Sequence, residues 1–259
     1  MRVGFMKKYF ILFIVVFIQY VNADFTSLDR FNKKINQRQK INTDKNINWI
    51  SIGELEKKLP KDPINVGFDV HDTIMSCAAP MRKKINESIK KPFSCFDEID
   101  FFKMDIEEDR MLKLWYDINT SISSDPVKYC TEKISGMALI ELHIKRDDHI
   151  FFITASDEPI LTSNEAYNLF HYIRNRFHIT TEFTIIYAGE TSAEISDIKV
   201  KPIRENQITW FYGDSDHDIE DAKKAGAQAV RVLRANDSFR SGGYSVGQFS
   251  EFVLRNSDL

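Results

Sequence analysis

Asn65-Val66-Gly67-Phe68-Asp69-Val70-His71-Asp72-Thr73 is the stretch that decides the fold of this chain. A short apolar run ends in an acid. Far downstream, Trp210-Phe211-Tyr212-Gly213-Asp214-Ser215-Asp216-His217-Asp218 repeats the arrangement. Short apolar runs bounded by turn residues read as strands buried on both faces, the habit of parallel sheets. An acid at the carboxyl end of such a strand lies where open α/β sheets build their sites.

Outward from these two runs, strands and helices alternate. Ser51 followed by Glu54 forms a capping box for a helix with Leu55 and Leu59 on one face and Pro60 as its stop. The first strand is Ile64 to Phe68. Helical spacing of Ile134, Leu139, Leu142 and His143 predicts a helix over Ile134 to Lys145, and His149 to Thr154 is the next buried strand. A long amphipathic helix follows, with Ala166, Leu169, Phe170 and Ile173 on one side. Strands are expected at Phe183 to Tyr187, Ile208 to Tyr212 and Ala229 to Leu233, with a helix over Ile219 to Ala225 stopped by Gly226. The alternation predicts an α/β fold: a Rossmann-like, doubly wound parallel sheet with helices on both faces. Residues 76 to 130 break the alternation. They are charged, carry scattered aromatics and show no strand period, so a small helical insertion beside the first strand is expected there.

Composition sets bounds on function. In the 259 residues, 35 Lys and Arg face 38 Asp and Glu, and the formal charge is −3. Arg2, Lys7 and Lys8 precede the apolar stretch Tyr9 to Ile18, and Val21-Asn22-Ala23 follows. That is the pattern of a secretory signal peptide cleaved after Ala23. The leader carries those three cations and no acid, so its removal takes the balance to −6. No basic stripe is present, which argues against a nucleic-acid partner. No other segment is suited to crossing a membrane, so no membrane contact is expected after cleavage. Residues 24 to 48 are rich in Asn, Lys and Gln and read as an N-terminal arm, leaving 49 to 259 as the folded domain. Cys77, Cys95 and Cys130 permit one disulfide, and the sequence leaves its pairing open.

Four polar positions fall at or near strand ends. Asp69 ends the first strand and Thr154 the second. Lys199 precedes the fourth, and Asp214, with Asp218 one helical turn on, follows it. Two carboxylates at the carboxyl ends of strands can hold a hard cation such as Mg²⁺ while one of them attacks phosphorus. Lys199 would neutralise the remaining phosphoryl oxygens and the Thr154 hydroxyl would donate to one of them. Asp214 and Asp218 also stand where they could cap the helix beginning near Ile219.

Taken together, this ordered set resembles the haloacid dehalogenase superfamily and, within it, the secreted bacterial class B acid phosphatases. The resemblance runs from about Trp49 to the C-terminus. It rests on Trp49-Ile50-Ser51, on Val66-Gly67-Phe68-Asp69 with Asp72-Thr73, and on Phe151-Phe152-Ile153-Thr154. Further matches are Phe211-Tyr212-Gly213-Asp214-Ser215-Asp216 with Asp218, and Val232-Leu233-Arg234-Ala235. Lys199 lies fifteen residues before Asp214, the family spacing. The resemblance implies a helical cap over about 76–130 and a periplasmic, Mg²⁺-dependent homotetramer acting on small phosphomonoesters such as nucleotides, aryl phosphates or sugar phosphates. It implies an aspartyl-phosphate on Asp69, and a metal held by Asp69, Asp214 and the backbone carbonyl of His71. Thr154 and Lys199 would bind phosphate, and Asp218 would orient Lys199 or a metal-bound water. Trp115 and Phe239 fall near positions that line an apolar leaving-group pocket.

Three positions depart from the family pattern. His71 stands where the family has the Asp that protonates the leaving group and then activates water. In an extended segment residues 69 and 71 face one way and Asp72 the other. Imidazole can do both jobs, with an unperturbed pKa of about 6.5. Ala155-Ser156 replaces Gly-Arg after Thr154, which removes a guanidinium. His217 replaces Asn and reads as a solvent-facing residue at a helix start; the other histidines at 143, 149, 171 and 178 read as structural. The expectation is a metal-dependent phosphomonoesterase. Its alternative is a family member that binds phosphate or nucleotide with impaired turnover.

Overall fold

The computed structural model describes residues 46–77, 126–155, 169–189, 197–235, 238 and 244–258. Its strands are Asn48–Ile50 (β1), Asn65–Phe68 (β2), Met75–Ser76 (β3), Thr131–Glu132 (β4), His149–Thr154 (β5), Phe183–Tyr187 (β6), Trp210–Gly213 (β7), Gln228–Arg231 (β8) and Phe252–Leu254 (β9). Its helices are Ile52–Lys58 (α1), Pro126–Tyr129 (α2), Ile134–Lys145 (α3), Leu169–Arg176 (α4), Val200–Glu205 (α5) and Asp216–Ala225 (α6).

Seven strands form one parallel sheet in the order β1-β9-β8-β7-β2-β5-β6. From β2 the chain steps outward through β5 to β6. It then returns to the other side of β2 at β7 and steps the opposite way. The reversal lies between β2 and β7, at their carboxyl ends, which is where sheets of this kind open a crevice. Val66, Phe68, Phe211 and Tyr212 are fully buried, as strands covered on both faces require.

Alternation along the strands divides the core. Ile153, Phe211 and Ala229 pack with Ile203 of α5 and Ile219 and Ala222 of α6. On the other face Phe68 stacks on Tyr212 with ring centroids 4.8 Å apart and meets His143 of α3 edge-on, while Phe170 of α4 stacks on Phe183. Helices therefore cover both faces, as expected.

Local signals hold where they are strong. Ser51 and Glu54 make the reciprocal capping box of α1. Gly226 ends α6 with φ 90°, a left-handed value that side-chain-bearing residues resist. Differences arise where elements are short. β1 and β9, three residues each, pair with one another at one side of the sheet. Asn48, counted with the arm from the sequence, is thus the first residue of β1. The last expected strand begins at Gln228 and ends at Arg231, because the backbone leaves the sheet before Leu233. Of the long amphipathic helix, Leu169–Arg176 is described and Ala166 lies outside the described residues. Among the described residues no helix is long and apolar enough to cross a membrane.

The expected insertion has a defined root. Met75–Ser76 pairs antiparallel with Thr131–Glu132, and Cys77 and Cys130 continue that ladder as a disulfide. Closing a loop of 53 residues contributes about 4 kcal/mol on a chain-entropy estimate. Of the expected insertion over 76–130, residues 78–125 lie outside the described residues.

His143 is one of the histidines read as structural, and its surroundings show why. Its Nδ1 lies 2.7 Å from Asp148 Oδ2 and its Nε2 2.8 Å from the Tyr212 hydroxyl, with no part of the residue exposed. Asp148 also accepts from Arg146 Nε and from the Ile64 backbone. Burial holds the imidazole below its ordinary 6.5 against the pull of Asp148. Asp148 is held below 3.8: burial opposes its charge, but His143, Ile64 and Arg146 outweigh that. Both groups take up protons more readily when unfolded, so both cost stability on acidification. The His143 contribution is complete above 6.5 and is lost as pH falls towards its folded value; that of Asp148 follows below 3.8. Between about pH 7 and 5 the native chain should therefore lose thermal midpoint relative to His143→Gln, which lacks this contribution. Parallel slopes in the two proteins would remove His143 as the cause.

Candidate active site

Neighbouring parallel strands place Asp69 and Asp214 side by side. The Asp69 N–H donates to the Tyr212 carbonyl at 2.8 Å, so the residue after β2 is held against the end of β7. Beyond Asp69 the chain turns sharply. Ile74 and Met75 N–H both reach back to the Val70 carbonyl, and Asp72 N–H donates to the Met75 carbonyl at 2.7 Å. Asp72 sits at φ 61°, a value uncommon for residues other than glycine. The turn directs Thr73 back to the acids: its hydroxyl lies 3.2 Å from Asp69 Oδ2 and 3.5 Å from Asp214 Oδ1.

The remaining oxygens face cations. Lys199 Nζ donates to Asp69 Oδ1 and, at 2.6 Å, to Asp218 Oδ1. Arg234 Nε donates to Asp214 Oδ2 at 2.5 Å. Asp69, Asp214, Asp218 and Lys199 are all buried, at 5 % exposure or less. The second Asp218 oxygen accepts from the Ser215 hydroxyl and backbone in a capping box at the start of α6. The capping expected of Asp218 and its grip on Lys199 therefore coexist, one oxygen each. Gly213 makes this closeness possible: a Cβ there would stand 2.3 Å from Asp218 Cβ.

These charges act on one another. Burial pushes the Asp69 carboxyl up to about 7, against Lys199 and with the help of Asp218 and Asp214. Burial opposes the charge on Asp218 too, but Lys199 and Ser215 outweigh it and hold the group at about 2. Burial works against the Lys199 ammonium, yet Asp218 and Asp69 keep it above the usual lysine range. Asp218 is thus the ionised partner of Lys199, and Asp69 is the carboxyl of the pair that takes a proton first.

The other expected residues fall as follows. Thr154 closes β5, the neighbour of β2, and is fully buried. His71 lies two residues past Asp69, buried, with a backbone bridge to Met75. The segment after Asp69 is a turn and not the extended stretch expected from the sequence, and Asp72 within it accepts from the Ser238 hydroxyl at 2.9 Å. His217 is exposed near the start of α6. Trp115, Phe239 and Ser156 lie outside the described residues.

Several residues at the site carried no sequence expectation. Arg231 is fully buried. It donates to the Asp214 carbonyl at 2.9 Å and pairs with Glu251 and Asp216. Arg231 and Arg234 thereby hold Asp214 by its carbonyl and its carboxylate. Lys133 Nζ donates to the carbonyls of Asp72 and Leu233, tying the turn after β2 to the segment after β8. Burial lowers that ammonium to about 8. Two signals were available: Arg231 and Arg234 stand in an otherwise apolar run, and Arg234 lies within the Val232-Leu233-Arg234-Ala235 stretch that carries the resemblance.

Asp69, Asp214 and Asp218 each offer an oxygen within 4.8 Å of the others. An all-oxygen set of buried carboxylates suits a hard divalent cation. Asp69 Oδ2 and Asp214 Oδ1 both turn to Thr73, whereas both Asp218 oxygens are engaged by Lys199 and Ser215. The first two are therefore the better placed to hold an ion.

No family model matches the chain. It is 37 % identical over 214 residues to a class B acid phosphatase of Edwardsiella ictaluri, covering 82 % of this chain and 79 % of that protein. It is 30 % identical over 216 residues to a class B acid phosphatase of a Rahnella species, covering 82 % and 81 %. Among solved structures, a haloacid dehalogenase-like hydrolase from Streptococcus pneumoniae superposes with a TM-score of 0.52 at 12 % identity, covering 77 % of this chain and 96 % of that one.

Proposed function

The chain belongs to the class B acid phosphatases, and from that membership we propose that it hydrolyses phosphomonoesters by a cation-dependent reaction whose nucleophile is Asp69. One observation carries the reading: a buried carboxylate at the carboxyl end of β2, with Lys199 on one oxygen and the Asp214 carboxylate sharing Thr73 with the other. Asp69 and Asp214, with the backbone carbonyl of His71, would hold the cation. Mg²⁺ suits that donor set. When bound, it would supply positive charge to offset the mutual repulsion of carboxylate and phosphoryl group.

The chain's own groups then divide the work. An Asp69 oxygen bonds to phosphorus as the ester P–O bond breaks. The His71 imidazolium gives its proton to the departing alkoxide. Water next attacks phosphorus, neutral His71 takes its proton, and the Asp69–phosphorus bond breaks to release inorganic phosphate. Lys199 neutralises phosphoryl oxygens and the Thr154 hydroxyl donates to one. Asp218 keeps Lys199 charged and in place. Trp115 and Phe239 are proposed as apolar walls for the leaving group. Nucleotides, aryl phosphates and sugar phosphates are the proposed substrates. Export to the periplasm through the leader 1–23 is part of the reading and accords with a disulfide at Cys77–Cys130. Assembly as a homotetramer is the family expectation carried with it.

Hydrolysis of a nitrophenyl phosphate by the mature protein, with Mg²⁺ and with a chelator, across about pH 4 to 9 tests this. Turnover that the chelator removes and Mg²⁺ restores is the expected result. Turnover indifferent to chelation would overturn the cation dependence. Phosphate binding without turnover would favour the impaired binder.

A further inference from the structure

Lys199 is held at both ends by one helix. Asp218 of α6 takes its ammonium. One turn further along, Asp221 accepts the Lys199 backbone N–H at 3.0 Å with Oδ2 and the Asp197 N–H at 3.2 Å with Oδ1. Residues three apart on a helix share a face, so one stripe of α6 meets both the backbone and the tip of the same lysine. Asp221 is buried, at 1 % exposure.

The need for this arrangement lies at the start of α5. Lys199 is its N-cap residue, and its side chain makes no cap hydrogen bond because it reaches instead to Asp69 and Asp218. A helix start has backbone N–H groups without partners in the helix, and a cap normally serves one of them. A lysine has no acceptor and cannot do so. Asp221 instead takes the N–H of the cap residue itself and that of Asp197, from a different helix. Asp197 is also strained at φ 75° and its carboxylate pairs with Lys224 of α6. The path of the chain into Lys199 is thus fixed by α6, with Ile203 packed on Ile219 and Ala222 beneath it.

We infer that Asp221 is a positioning residue for the phosphate-facing lysine: by fixing the backbone of residues 197–199 against α6 it sets where Lys199 Nζ stands relative to Asp69. The inference rests on the reading of Lys199 as a phosphoryl-neutralising group. Without Asp221 the backbone can move while Asp218 still holds the ammonium. The ammonium, still paired with Asp218, then pivots away from Asp69.

The test compares Asp221→Ala and Asp221→Asn with the native chain, in native and Lys199→Met backgrounds, using nitrophenyl phosphate. In Asp221→Ala, kcat/KM should fall about 10- to 100-fold, the range seen when a supporting contact to a site residue is lost. Asp221→Asn keeps one acceptor oxygen and should lie between, which also covers a failure of the alanine variant to fold. In the Lys199→Met background, Asp221→Ala should change the residual turnover by less than about twofold. A purely structural role would lower the thermal midpoint and leave kcat/KM of the folded variant unchanged, and that result overturns the inference. So would an equal loss in both backgrounds. A crystal structure of Asp221→Ala or Asp221→Asn supplies an arm independent of activity, with Lys199 Nζ expected to leave Asp69. If the native protein shows no turnover, the phosphatase reading fails, and the Lys199 position alone still decides the inference.

Discussion

Asp69→Asn is expected to lower turnover by roughly four orders of magnitude or more, the scale seen when a covalent nucleophile is removed. The amide has nearly the shape of the carboxylate, but its nitrogen cannot replace the oxygen that bonds to phosphorus. The fold should survive the exchange. The amide oxygen can keep the Lys199 contact, the amide nitrogen can donate to the Thr73 hydroxyl, and Lys199 retains Asp218. Acid quenching during turnover, followed by mass spectrometry, should find phosphate on the native peptide that contains Asp69 and none on the variant. Circular dichroism and the thermal midpoint separate lost chemistry from lost structure. Phosphate trapped on another residue, or turnover kept by a folded Asp69→Asn protein, would remove Asp69 as nucleophile.

The sequence made the central sheet legible because β2, β5 and β7 are buried on both faces and so are continuously apolar. The acids after β2 and β7 stood out against that background. α6 was legible through Gly226, and α1 through Ser51 and Glu54, since caps are local chemistry. What was not legible is nonlocal. β1 and β9 have three residues each, too few for a period to show, and they exist because they pair across most of the chain. Arg231, Arg234 and Lys133 are cations in or beside apolar runs. Their partners lie 17 residues away at Asp214 for Arg231, 20 at Asp214 for Arg234, and 61 and 100 at Asp72 and Leu233 for Lys133. Cys77 was one of three equivalent thiols until the β3–β4 ladder placed it against Cys130. Lys199 was placed by its spacing to Asp214, and nothing in that spacing reveals that a lysine at an N-cap needs Asp221 to hold the backbone there.

His71→Ala is expected to separate substrates by their leaving groups. An alkoxide departs as a strong base and needs a proton in the transition state; a nitrophenolate departs as a stable anion and does not. If His71 supplies that proton, turnover of an alkyl phosphate should fall about 10²- to 10⁴-fold, the usual worth of a general acid or base. Nitrophenyl phosphate should lose far less in the step that forms the aspartyl-phosphate. The position of the residue supports the assignment: it follows Asp69 by two along the chain and is buried beside the same turn. His71→Asp sharpens the test, because a carboxyl titrates below an imidazole. A general acid works only while protonated, so limiting rates on the alkyl ester should fall at lower pH in His71→Asp than in the native chain. A burst of nitrophenolate followed by slow turnover in His71→Ala would locate the remaining loss in the attack of water on the aspartyl-phosphate. The same fractional loss for both esters, with no burst and an unmoved pH profile, would mean that His71 only packs the turn and that the proton comes from elsewhere.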